Sequence, residues 1–174
     1  MDEEDTEDYS PLLKAVRNGH LDEVRSLVSQ GADVNQGNAE GWTPLVIAAK
    51  TGRVEVLMFL IDQGADVRNQ GAEVNAGTAS GQTALNAAAK NRHLDVVKYL
   101  ISQGAEVNAG TTSCQTALNA AAKNRHLDVV KYLISQGAEV NTDTFVKELR
   151  RSINGDNNDE TSTMTHKSCS DGSP

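Results

Sequence analysis

Large aromatic side chains are scarce in this chain of 174 residues, because Phe, Trp and Tyr together make up only 3% of it. Hydrophobic residues of all kinds amount to 38%. A single large core would need more bulky side chains than this. A stack of small units needs fewer, since each unit buries its apolar face against its neighbour. The composition therefore favours a repeat architecture.

Cysteines and long apolar runs are also lacking. Two cysteines, Cys114 and Cys169, are too few for the disulfide framework of a small secreted domain. No apolar run approaches the roughly 20 residues of a membrane-spanning helix, and the chain shows no basic-then-apolar leader. The sequence predicts an intracellular protein, cytoplasmic or nuclear, that does not bind membranes.

Negative charge is concentrated at the two ends of the chain. The net charge is −8, and residues 1–10 hold six acidic residues and no basic one. Residues 11–141 hold 12 basic and 12 acidic residues, and such a neutral body argues against nucleic-acid binding, which needs clustered Lys and Arg. We expect 1–8 to be an acidic disordered tail and 154–174 a disordered tail rich in Ser and Thr.

The sequence repeats with a period of 33 residues. Residues 78–108 and 111–141 are identical at 29 of 31 positions, and the same offset relates residues 10–12 to residues 43–45. A period of this length with a Thr-Pro-Leu helix start is typical of stacked helical repeats.

Each unit is predicted to contain two helices. In the second unit, Thr43 is a typical N-cap, and Pro44 follows at a position where no amide proton is needed. The alanines at 48–49 are small enough to let a neighbouring helix approach closely. A second helix is expected over 54–61, with Gly64 as its left-handed C-cap.

These features resemble the ankyrin-repeat family over residues 9–141. The motifs that carry the resemblance are Gly41-Trp42, Thr43-Pro44-Leu45, Gly19-His20-Leu21, Leu94-Asp95-Val96-Val97 and Gly31-Ala32-Asp33-Val34-Asn35. The resemblance implies an all-α solenoid of stacked antiparallel helix pairs joined by β-hairpin-like loops. It also implies protein binding through the hairpin tips and the concave face of the first helices.

The register divides the expected ankyrin-repeat domain, 9–153, into four units and a cap. The units are 9–40, 41–77, 78–110 and 111–143. Residues 144–153 should form an amphipathic helix over the open face of the fourth unit, because four apolar residues recur at helical spacing. They are Phe145, Val146, Leu149 and Ile153.

The second unit is seven residues longer than the period, because residues 63–67 are echoed by residues 70–74. One interpretation is a surface insertion that the fold tolerates. The other is a longer finger that contacts a partner, or a hinge between the second and third units.

The loop glycine between the paired helices changes along the chain. It is Gly19 and Gly52 in the first two units but Arg92 and Arg125 in the last two. If these arginines keep a left-handed backbone, each should cost on the order of 1 kcal/mol.

The sequence shows no recognisable constellation for catalysis. His20, His93 and His126 stand at equivalent repeat positions, so repetition explains them better than metal ligation. Cys114 has no second thiol at metal-ligand spacing, and no Gly-rich phosphate loop or Ser/His/Asp set is evident. We expect a protein that is not an enzyme and needs no cofactor.

Candidate binding residues follow from the register of the repeats. One position, late in the first helix, carries a cation in every unit, and we call this set the basic row: Arg17, Lys50, Lys90 and Lys123. An acidic partner segment would complement it. The alternative is a set of solvated side chains that interact favourably with the helix dipole.

The hairpin tips supply the remaining candidates, which are Glu40, Trp42, Gln82 and Gln115. Trp42 is either an interface anchor, a role in which tryptophan is enriched, or a filler that folds back on its own hairpin.

The sequence thus predicts a monomeric adaptor or scaffold that binds another protein through its tips and concave face. Two alternatives stay open: an inhibitor or regulatory subunit that acts through its tails, and a truncated paralogue without a specific partner. Deleting both tails would separate the first alternative from the adaptor, because binding survives only if the stack is the binder.

Cys114 stands where the hairpins of the second and third units have Gly41 and Gly81. If this site requires a left-handed backbone, Cys114→Gly should raise Tm, because it removes a strain of about 1 kcal/mol. Thermal unfolding followed by circular dichroism measures the change. An unchanged or lower Tm would reject the left-handed assignment.

Overall fold

The computed structural model describes residues 9–65, 82–110 and 116–140. Within them the chain forms four helix pairs: α1 (Pro11–Asn18) with α2 (Leu21–Ser29), α3 (Pro44–Thr51) with α4 (Val54–Asp62), α5 (Ala84–Lys90) with α6 (Leu94–Ser102), and α7 (Ala117–Lys123) with α8 (Leu127–Ser135). These stretches contain no strand, only an isolated antiparallel bridge between Gly110 and Thr116. The expected all-α solenoid is confirmed.

Some expectations concern parts of the chain outside the described residues. They are the two tails, the duplication beyond Ala65, Cys114 and the cap helix at 144–153.

A hydroxyl side chain caps the first helix of every unit. The hydroxyl oxygen accepts the backbone N–H three residues further on, at 3.1–3.4 Å, which satisfies one of the open donors at the helix start. The predicted N-cap at Thr43 is therefore confirmed. The capping residues are Ser10, Thr43, Thr83 and Thr116.

The first helices pack against each other along the whole stack. Leu45, Leu85 and Leu118 are 2%, 3% and 1% exposed, so their side chains lie between layers and not in water. Beside them Ala88 and Ala121 are fully buried. Small side chains at these positions let the backbones of neighbouring helices approach closely.

The second helices of neighbouring units contact each other much less. Each first helix contacts the next first helix extensively, whereas contacts between successive second helices are few. Because the units are held together most tightly along the first helices, that side of the stack is the inner, concave one. The concave face expected from the resemblance thus has a cause in the alanine-rich first helices.

Each second helix ends at a glycine in the left-handed conformation, with φ between 86° and 96°. Gly64 is the C-cap expected for the second unit, and Ala65 then donates its backbone N–H to the Leu60 carbonyl at 2.9 Å. The loops that follow are bonded to the next unit. Asn35 Nδ2 donates to the Gly64 carbonyl at 3.3 Å, and Asn108 Oδ1 accepts the backbone N–H of Glu139 at 2.8 Å.

Arg92 and Arg125 both have a left-handed backbone, with φ of 62° and 60°. The expected strain at these former glycine positions is therefore present. Arg92 gains a contact in exchange, since its Nε donates to Asp128 Oδ2 in the next unit at 3.2 Å.

Asp128 responds to its surroundings in two opposing ways. Desolvation raises the pKa of its carboxyl group, but a backbone hydrogen bond with Val129 and the Arg92 guanidinium lower it more, so the pKa lies below its ordinary value. The carboxylate is therefore favoured in the fold, and its contribution to stability is lost as the pH falls through this lowered pKa. The contribution is small because both side chains are substantially exposed.

A pair of substitutions at Arg92 isolates the backbone strain from the loss of the ion pair. Both Arg92→Gly and Arg92→Ala remove the guanidinium, but only glycine adopts φ of 62° without cost. We expect the glycine variant to be more stable by about 1 kcal/mol in urea unfolding.

The matched control is Lys98, an exposed residue within α6. There the order should reverse, with Lys98→Ala more stable than Lys98→Gly by about 0.5–1 kcal/mol. An alanine at position 92 that is as stable as glycine would contradict the strain.

Candidate binding cleft on the concave face

The basic row lies at the end of the first helices. Arg17, Lys50, Lys90 and Lys123 each occupy the last turn of their helix, where a cation interacts favourably with the negative end of the dipole. The three lysines are exposed and Arg17 is half-buried. The register deduced from the repeats therefore corresponds to a real row of cations along the stack.

A hydrogen bond from the next unit holds the backbone of this row in place. His93 Nε2 lies 3.1 Å from the Lys50 carbonyl oxygen, and His126 Nε2 lies 3.0 Å from that of Lys90. Because a carbonyl can only accept, each of these Nε2 atoms carries the proton and donates it. Arg53 Nε donates to the Arg17 carbonyl in the same way, at 3.4 Å.

These bonds give two of the three repeated histidines a structural role between units. Each satisfies a carbonyl at the end of a first helix that has no partner within its own helix. His20 belongs to the first unit and has no unit before it among the described residues. Its Nδ1 lies 3.2 Å from Glu23 Oε2 instead.

A cleft of about 430 Å³ opens beside the basic row, across the first three units. Two lysines, two aromatic rings, two amides and one carboxylate line it. The lining residues are Tyr9, Glu40, Trp42, Lys50, Gln82, Lys90 and Asn91.

Trp42 and Lys50 form one wall of the cleft. The Lys50 ammonium lies over the indole ring, 4.6 Å from its centroid, at a distance typical of a cation–π contact. The indole Nε1 donates to Glu40 Oε2 at 2.9 Å, and the backbone N–H of Trp42 donates to Asn38 Oδ1. Trp42 thus folds back on its own hairpin with its polar groups bonded, while its ring supports Lys50.

The first unit repeats this arrangement. Tyr9 occupies the repeat position of Trp42, and the Arg17 guanidinium lies 5.9 Å from the centroid of the Tyr9 ring. In the third unit the aromatic residue is replaced by Gln82. The cleft therefore has an aromatic side, made by the first two units, and an amide side, made by the third.

The structure brings five of the eight candidate residues together in the cleft, namely Glu40, Trp42, Lys50, Gln82 and Lys90. Arg17 lies next to it through its contact with Tyr9. Lys123 lies outside the cleft, one unit further along the row on α7. Gln115 is outside the described residues.

Sequence reasoning missed two residues of the cleft, Tyr9 and Asn91. A signal for Tyr9 was present, because it lies 33 residues before Trp42 and so shares its repeat position. Asn91 directly follows the basic row residue Lys90, but nothing in its spacing marks it as part of a cleft.

Comparison with protein-family models identifies the architecture. Residues 1–71 and 67–144 match the family described as ankyrin repeats (3 copies). These matches cover most of the chain, and the chain belongs to the ankyrin-repeat family. The two matches meet within residues 67–71, inside the duplicated region of the second unit. Comparison with curated protein sequences gave no match.

Two other kinds of site were sought in the described part of the chain. None of its helices is both long and apolar enough to cross a membrane. Over the same residues, no three or more His, Cys, Asp or Glu side chains form a group that could hold a metal ion.

The bonds between units predict unequal effects for equivalent histidines. His126→Ala removes the bond to the Lys90 carbonyl and should lower the free energy of unfolding by about 1 kcal/mol in urea titrations. His20→Ala is the matched control, and we expect a change below about 0.5 kcal/mol, because His20 and Glu23 are both largely exposed. Equal losses at the two positions would contradict the role assigned to His126.

Proposed function

We propose that this protein is a non-catalytic adaptor that binds an acidic segment of a partner protein in the concave cleft. Ankyrin repeats are in general protein–protein interaction modules, which supports the class of function. The observation that carries the finer proposal is the position of two exposed cations, Lys50 and Lys90, in the same cleft as two aromatic rings.

The cations define the charge of the ligand. Lys50 and Lys90 belong to successive units, so their backbones are about 8–10 Å apart, the usual spacing of packed helices. An extended chain advances about 6.6–7 Å for every two residues, so acidic side chains two to three residues apart can reach both lysines. Glu40 is the one acidic residue of the lining and would repel the ligand at that edge.

The aromatic rings indicate that charge is not the whole of recognition. An exposed ion pair is worth only about 0.2–1 kcal/mol, so two such pairs alone give weak binding. Tyr9 and Trp42 add apolar surface to the same cleft, and each packs against the buried core, so little order is lost when a ligand contacts them. The best ligand is therefore an acidic segment with an apolar or aromatic residue between its carboxylates.

The amides of the third unit suit the backbone of such a segment. Gln82 and Asn91 line the cleft opposite the aromatic side, and each amide has both donor and acceptor atoms. They match the carbonyl and N–H groups of an extended peptide without regard to its side chains. We place the protein inside the cell, in the cytoplasm or nucleus, and expect it to act as a monomer.

A charge reversal in the cleft tests this function. The probe is a fluorescein-labelled peptide with two glutamates on each side of one phenylalanine, measured by fluorescence anisotropy. Lys50→Glu combined with Lys90→Glu should weaken its binding roughly 10- to 100-fold, because attraction is replaced by repulsion at two positions. The binding of the unchanged protein should also weaken with added salt.

The matched control reverses two exposed lysines on second helices that also share one repeat position, Lys98 and Lys131. This variant has the same net charge as the cleft variant, so a change of the overall charge alone would affect both equally. Equal loss of binding in the two variants, or no binding by the unchanged protein, would reject the proposed cleft.

A further inference from the structure

The acidic N-terminal segment leads directly into the cleft. Residues 1–8 hold six acidic residues and no basic one, and the next residue, Tyr9, lines the cleft itself. The most acidic part of the sequence is thus joined covalently to the surface whose cations we propose as the binding site.

The segment is long enough to reach both cations of the cleft. Eight extended residues span up to about 26–29 Å. Lys50 lies one unit and Lys90 two units beyond the unit that holds Tyr9, which amounts to about 10 Å and 20 Å of helix spacing. No rearrangement of the stack is needed for this contact.

The charges of the two surfaces are complementary. Lys50 and Lys90 line the cleft and Arg17 lies beside it, against a single lining carboxylate, Glu40. The segment has the same chemistry as the ligand proposed above, since its acidic residues are followed by an aromatic one. Residues 142–174, in contrast, contain four basic residues among six acidic ones and are joined to the far end of the stack.

We propose that residues 1–8 occupy the cleft as an intramolecular competitor, which an acidic partner segment must displace. The inference rests on the proposed function, because both ligands use the same cations. A short tether holds its end at an effective concentration of about 1 mM. If the segment binds with a Kd near 0.1 mM, it weakens the binding of a competing ligand about tenfold.

The test uses the full chain and the labelled peptide described above. In one variant the six acids of the segment are replaced by their amides: Asp2→Asn, Glu3→Gln, Glu4→Gln, Asp5→Asn, Glu7→Gln and Asp8→Asn. We expect this variant to bind the peptide about tenfold more tightly than the unchanged chain. In the Lys50→Gln/Lys90→Gln background the same six replacements should have no such effect, because the cations that hold the segment are gone.

The control neutralises acids at the other end of the chain, and here we expect a change below about twofold. Its replacements are Asp156→Asn, Asp159→Asn, Glu160→Gln and Asp171→Asn.

The outcomes separate the inference from the proposed function. If the unchanged chain and the N-terminal variant bind the peptide equally, the competitor role is wrong while the cleft remains a binding site. A gain from the C-terminal replacements as large as that from the N-terminal ones would also overturn it, since overall charge would then explain both. If neither protein binds the peptide, the proposed function fails and the inference fails with it.

Discussion

Close packing between the first helices of successive units is the constraint on which the rest of the structure depends. An isolated helix pair of about 18 residues has too little apolar surface to be stable by itself, and here each pair buries its face only against its neighbours. Alanines such as Ala88 and Ala121 allow that contact, and the leucines beside them are excluded from water by it. The long, shallow concave surface is a direct result.

The same packing gives the binding surface its regular geometry. Because each unit repeats the last turn of its first helix, a cation recurs at one interval along the stack, and a side chain of the next unit holds the carbonyl at that position. Interactions that stabilise the stack and residues that face a ligand thus lie in the same short segment. A substitution such as His126→Ala acts through the backbone of the cleft, whereas Lys90→Glu acts through its charge.

Much of the fold could be predicted from the sequence, because the repeat converts weak local signals into one strong one. A single Thr-Pro-Leu motif is common, but its recurrence after 33 residues fixes the helix starts, the caps and the register of the cations. The left-handed backbone of Arg92 was predictable for the same reason, since glycine stands at that position in the first two units. Local chemistry repeated in register is what the sequence records best.

Contacts between units were the part that the sequence did not reveal. The donation from His93 to the Lys50 carbonyl joins residues 43 positions apart, and no local pattern encodes it. Likewise, the two interpretations of Trp42 as anchor or filler depend on where its ring lies. The ring packs on its own hairpin and also lines the cleft, so the two descriptions are compatible in the structure.

The central claim is that ligands bind on the concave side, between the rows of cations and aromatic rings. Titration of the ¹⁵N-labelled protein with the acidic peptide tests it most directly, because Trp42 is the only tryptophan and gives a single indole N–H signal. The account predicts that this signal and the backbone signals of Lys50, Lys90 and Asn91 shift together with one Kd. Shifts confined to the second helices α4 and α6, with an unchanged indole signal, would contradict it.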